Sequence, residues 1–126
     1  MTDGQSSNHS IAERLGEELL RIHQESYGKG AGRADVTLKE DVVYCMLDDL
    51  ELLPQEELLI DSGRSGAVIE LRTTYEQAIE SAFRAAVERA TGRRVVSFAS
   101  ITNLSPAYAV EIFRLGPRRE SRLPGG

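Results

Sequence analysis

The chain has 126 residues, with one cysteine, no tryptophan, and 15 basic against 20 acidic residues for a net charge of −5. That size suits one domain that hides roughly two-thirds of its unfolded surface, and the lone Cys45 excludes an internal disulfide. The acidic balance argues against generic nucleic-acid affinity, no apolar run approaches the roughly 20 residues of a membrane crossing, and with no signal-peptide pattern at the start the expected compartment is the cytoplasm.

Residues 1–9 are small, polar and unpatterned, and are expected to be disordered. Ser10-Ile11-Ala12-Glu13 reads as a capping box and predicts a helix from Ser10. Ile11, Leu15, Leu19 and Ile22 form its apolar stripe, Leu20 points away from that stripe, and Gly28 offers a left-handed stop. Ala34 to Glu40 alternates, with Ala34, Val36 and Leu38 on one face, as a half-buried strand does. Val42 to Leu47 is continuously apolar and is expected to complete a hairpin that turns near Glu40 and Asp41. Pro54 opens a short helix, because its missing N–H costs nothing at the first helical position. From about Ala67 to Thr91 one arc collects Val68, Leu71, Tyr75, Ala78, Ile79, Ala82, Phe83, Ala86 and Ala90, predicting a long core helix that Gly92 ends. Arg94 to Ile101 and Ala107 to Leu115 read as two further strands, and residues 116–126 as a disordered basic tail. The expected unit is a single domain over 10–115. Helices with one apolar stripe must cover the apolar face of a four-stranded, mostly antiparallel sheet, so the class is α+β in two layers.

Between the first helix and the first strand lies Tyr27-Gly28-Lys29-Gly30-Ala31-Gly32-Arg33. Lys29 and Arg33 supply charge, and Gly30 and Gly32 let backbone N–H groups approach an oxyanion; the same residues also make an ordinary helix C-cap. Arg72 falls inside the arc of the long helix and needs a partner there, a strand carboxylate such as Asp35 or Glu111, unless it snorkels or walls a pocket. His9, His23 and Cys45 fall short of a metal set, Cys45 reads as a small buried hydrophobe, and no catalytic constellation emerges. Charge is uneven: every charged residue from Glu40 to Asp61 is acidic, whereas Arg114, Arg118, Arg119 and Arg122 make the end basic. That asymmetry is either solvated surface or a docking surface.

Tyr27-Gly28-Lys29-Gly30, Val42-Val43, Glu56-Glu57-Leu58, Gly63-Arg64, Thr91-Gly92 before Val95-Val96, and Val110-Glu111-Ile112-Phe113, in that order, resemble the MpsC-like bacterial family. That family is named for a proposed sodium-translocating, membrane-potential-generating system. The resemblance spans about Ile11 to Leu115 and departs from the family pattern at Ala31, where proline is usual, and at Leu53, where threonine is. It implies a small soluble domain linked by name to Na+ or bicarbonate translocation, with no established reaction and no agreed catalytic residues. Two functions follow: a non-enzymatic accessory domain that binds a protein partner such as a membrane transport system, or a small-anion or nucleotide sensor that uses Lys29, Gly30, Gly32, Arg33 and Arg72. A homodimer is expected from Leu20 and from the uncovered edges and outer face of the sheet. No cofactor, metal, nucleic acid or membrane insertion is expected.

Overall fold

Alternation and helical spacing are both realised in the computed structural model, which describes residues 3–27 and 30–118. The elements are α1 (Asp3–Tyr27), β1 (Arg33–Lys39), β2 (Val42–Asp48), α2 (Pro54–Asp61), α3 (Ser65–Thr91), β3 (Val95–Leu104) and β4 (Ala107–Leu115). Both hairpins form, and their second strands meet at the centre, so the sheet runs β1-β2-β4-β3 with every pair antiparallel. Helices α1 and α3 pack on one face of it, which makes the fold α+β.

Helix α1 starts ahead of the expected cap. Residues 3–9, read from composition as disordered, continue the helix, because no proline interrupts them and extending a formed helix is far easier than starting one. Most of the expected tail, from Arg119 on, lies outside the described residues, as do Met1 and Thr2. The chain stays paired as far as Gly116, whose N–H donates to the Arg94 carbonyl at 2.8 Å.

The core lies between the helices and the inner face of the sheet. Leu15 and Leu19 of α1, Val43 and Leu47 of β2, Phe83, Ala86 and Val87 of α3, and Phe113 of β4 are all buried in it. Phe83, Phe98 and Phe113 form an aromatic triangle with centroid spacings of 5.1 to 6.4 Å. Leu20, expected to point away, packs instead against this core, because it lies over β1 beside Ala34 and Val36.

Helix α3 is rotated relative to its apolar arc. Its buried positions are Val68, Arg72, Glu76, Phe83, Ala86 and Val87, whereas Leu71 and Tyr75 are 42% and 45% exposed. Two charged side chains have displaced two apolar ones, because each finds polar partners inside. Phe83→Ala should therefore cost about 3–5 kcal/mol, while Leu71→Ala should stay within about 1 kcal/mol. Urea denaturation of the two variants checks the rotation, and equal losses would contradict it.

Candidate functional site

Strand alternation carries one acid inward. The inner positions of β4 are Ala109, Glu111, Phe113 and Leu115, all buried, and the register sets Glu111 between Cys45 of β2 and Ser100 of β3. Helical spacing brings more polar groups to the same layer. On α3, Arg72 and Glu76 are four residues apart; on α1, His23 follows Leu15 and Leu19 at four-residue steps. The result is a sealed polar cluster in which His23, Glu56, Arg72, Glu76 and Glu111 are each at most 3% exposed.

Arg72 meets Glu56 of α2 through two bonds of 2.8 Å, from Nε and from one terminal nitrogen. The partner is neither Asp35 nor Glu111, the strand carboxylates expected for it, because α2 packs on α3 and turns Glu56 inward. Glu56 also accepts the Leu53 N–H at 2.8 Å and so caps α2, supplying what the Leu53 side chain cannot. Burial alone would raise its carboxyl, but the Arg72 guanidinium and the Leu53 N–H hold it below the ordinary value. The Arg72 guanidinium lies 5.1 Å from the centre of the Tyr27 ring.

Glu76 gathers donors. Tyr27 Oη donates to it at 2.7 Å, Ser100 Oγ at 3.5 Å, and His23 Nε2 lies 3.7 Å away. No group donates to either oxygen of Glu111. Its neighbour is the Glu76 carboxylate, an acceptor, and two carboxyls bond only through a proton. Burial first, then Glu76, pushes the Glu111 carboxyl from its ordinary 4.5 up to about 10, so the pair holds a shared proton at neutral pH. Burial and the neighbouring carboxyls likewise push the Cys45 thiol up to about 12, which makes it inert. Tyr27 is raised by the same causes, burial and then Glu76.

His23 is neutral. Its Nδ1 accepts the Ala31 N–H at 3.2 Å, so its own proton sits on Nε2 and faces Glu76. Burial holds its ring down to about 4, against the opposing charge of Glu76 and with that of Arg72.

The glycine loop serves this histidine. Gly30 has φ 65°, and a Cβ there would stand 2.7 Å from His23 Nδ1, so only glycine fits. Ala31 contributes the N–H that a proline would lack, and Gln24 donates to its carbonyl at 2.9 Å. The Gly32 N–H is shared between the carbonyls of Asp48 and Asp49 at 2.9 and 3.0 Å. Arg33 donates to Asp48 at 2.7 Å and lies 3.6 Å from Asp49, on the surface. Arg33 and Arg72, both candidates for the anion site, stand in separate ion pairs, and Gly28 and Lys29 lie outside the described residues.

Glu76, Glu56 and the full burial of His23 escaped the reading of the sequence, although a spacing signal existed for two of them. Glu76 sits one helical step from Arg72 and seven residues before Phe83, and His23 continues the Leu15–Leu19 step. The acid was legible at Glu111, which interrupts an inward apolar row between Ala109 and Phe113.

The family model described as Na+-translocating membrane potential-generating system (MpsC) matches residues 7–116. The chain belongs to that family. No curated protein and no solved structure matches it significantly. In this MpsC domain no described helix is long and apolar enough to cross a membrane, and no described group of three or more His, Cys, Asp or Glu residues is placed to hold a metal ion.

Two expectations test the cluster. Replacing Arg72 by Met leaves a buried Glu56 without its counter-charge and should cost about 3–5 kcal/mol in chemical denaturation, with partial recovery when Glu56→Gln is added, since Gln still caps α2. A loss under about 1 kcal/mol would show that the pair organises nothing. The second concerns pH. A carboxyl raised from 4.5 to about 10 gives stability that is present below pH 4.5 and lost progressively as pH rises toward 10. His23, lowered from 6.5 to about 4, acts at the other end, with stability lost as pH falls through that range. Glu111→Gln should remove the alkaline part alone, so its stability advantage over wild type should grow between pH 5 and pH 9. A constant difference across that range would place the proton elsewhere.

Proposed function

We propose that the domain is a non-enzymatic accessory module of a membrane ion-translocating system, working from the cytoplasm by binding a protein partner and pairing with a second copy of itself. The family description supplies the system. The outer face of the sheet is the observation that supports the mode of action.

Opposite the helices, the register lines up two rows across the strands, Asp35–Met46–Val110–Ile101 and Thr37–Tyr44–Ile112–Ala99. No described helix covers this face, and Tyr44, Met46 and Ile101 are 42%, 37% and 57% exposed. An apolar centre with a polar margin is the composition of a protein-binding surface. The polar cluster around Glu76 and Glu111 is shut in the core, and none of its residues lines the surface clefts beside α1.

The anion-sensor alternative has less support. It would have to draw Arg33 away from Asp48 and Asp49 and free the N–H groups of Ala31 and Gly32 from their internal acceptors.

Placing glutamate at both Tyr44 and Met46 should abolish co-purification with the ion-translocating proteins while leaving a cooperative melt. Retained association by the folded variant would overturn the docking reading. In the same melts, millimolar phosphate, bicarbonate or nucleotide should leave the wild-type midpoint unchanged; a rise would favour the sensor, since a ligand of the folded state must stabilise it.

A further inference from the structure

The two edges of the sheet differ in kind. β1 carries Arg33, Asp35 and Lys39 at its exposed positions, charges that discourage another strand from pairing there. β3, the other edge, runs ten residues from Val95 to Leu104 without a charge or a proline. Side chains of α3 cover its first residue: Glu88 accepts the Val95 N–H at 2.9 Å, and Arg84 donates to the Val95 carbonyl at 3.2 Å. Among the described residues, no side chain from another element bonds the β3 backbone beyond that point. A register shift between Val95 and Ser97 is the only irregularity, and the strand beyond it pairs regularly with β4 as far as Leu104.

We propose that β3 pairs antiparallel with β3 of a second copy about a two-fold axis, joining two four-stranded sheets into one of eight strands. This names the surface behind the homodimer reading given above and is independent of docking to the ion-translocating system.

Three features point to a second copy as the occupant. The first is charge. A chain with net charge −5 repels its own copy over most of its surface, but an uncharged strand laid against its antiparallel twin opposes no like charges. The second is continuity. The outer rows are polar at the β1 end, in Asp35 and Thr37, and apolar through to the β3 end, where Ile101 is exposed. A two-fold axis normal to the sheet keeps both helical layers on one side and makes the two apolar stripes meet on the other. The third is closure. Once β3 is paired, the free edges of the assembly are two charged β1 strands, so the contact ends in a dimer and does not propagate.

Sedimentation of the wild-type chain at micromolar concentration should give a dimer. Hydrogen exchange on the same sample should show protection along β3 even at amides not bonded to β4, and that protection should disappear on dilution. Ile101→Lys, or Ser97→Lys should the first variant fold poorly, puts a charge on an exposed edge position and should yield a folded monomer. A monomeric wild type would overturn both the edge pairing and the homodimer reading, leaving the docking reading standing. A dimer that survives the lysine and exchanges freely along β3 would overturn the edge pairing alone. Protection of β3 that requires a different protein would assign the edge to an extended partner segment and equally overturn the proposal.

Discussion

Arg72 and Glu56 face each other where water is excluded, and each has a second duty that ties a further element to the pair. Glu56 closes the first turn of α2 on the Leu53 N–H, so the orientation of that helix depends on where the carboxylate is held. Arg72 lies over the Tyr27 ring, and Tyr27 in turn donates to Glu76. Helices α1, α2 and α3 are thus joined through one guanidinium. Taking both ions out of water costs several kcal/mol each, which their attraction repays only when geometry and remaining hydrogen bonds are good, so such a pair is a weak source of net stability. Its value here is geometric: an apolar pair of the same volume would fill the space but would leave the α2 start uncapped and α3 free to turn Leu71 and Tyr75 inward.

The carboxyls behind that pair divide their roles by what surrounds them. Glu76 accepts from the Tyr27 phenol and the Ser100 hydroxyl, and His23 Nε2 lies 3.7 Å away. Glu111 faces the Glu76 carboxyl from a strand row between Cys45 and Ser100. One proton between the two carboxyls lets them bond, and the imidazole of His23 stays neutral because burial holds its ring down, with Nδ1 free to accept the Ala31 N–H. The position of the glycine loop and the protonation of the core are in this way one problem, since Gly30 must come within contact distance of the ring for Ala31 to reach it.

Much of this fold was legible because its signals are local. The Glu40-Asp41 turn, Pro54 at the start of α2 and Gly92 at the left-handed end of α3 each act within a few residues, and the structure places them where the pattern does. The rotation of α3 was not legible. A hydrophobic arc counts Leu71 and Tyr75 as inward and shows Arg72 as a charge in need of a partner, but it gives no sign that Glu76 turns inward, which only the partners supplied by α1 and β3 bring about. Composition also misjudged residues 3–9, where polarity was taken for disorder although nothing there breaks a helix. The glycine loop adds contacts that its own residues do not announce: the N–H groups of Ala31 and Gly32 bond His23, Asp48 and Asp49, acceptors that no reading of the loop alone could supply.

Sealing the reactive groups has a consequence for where function resides. With the polar cluster enclosed, a partner of the kind proposed would meet the outer face of the sheet, and a single four-stranded sheet offers it little apolar area, since its apolar rows span only β2, β4 and β3 before reaching Asp35 and Thr37. The proposed pairing at β3 would double the length of those rows without adding a residue. The docking face would then be a property of the dimer more than of the chain, and charge on β1 would serve two ends at once, stopping further strands from adding and marking the boundary of the face a partner covers.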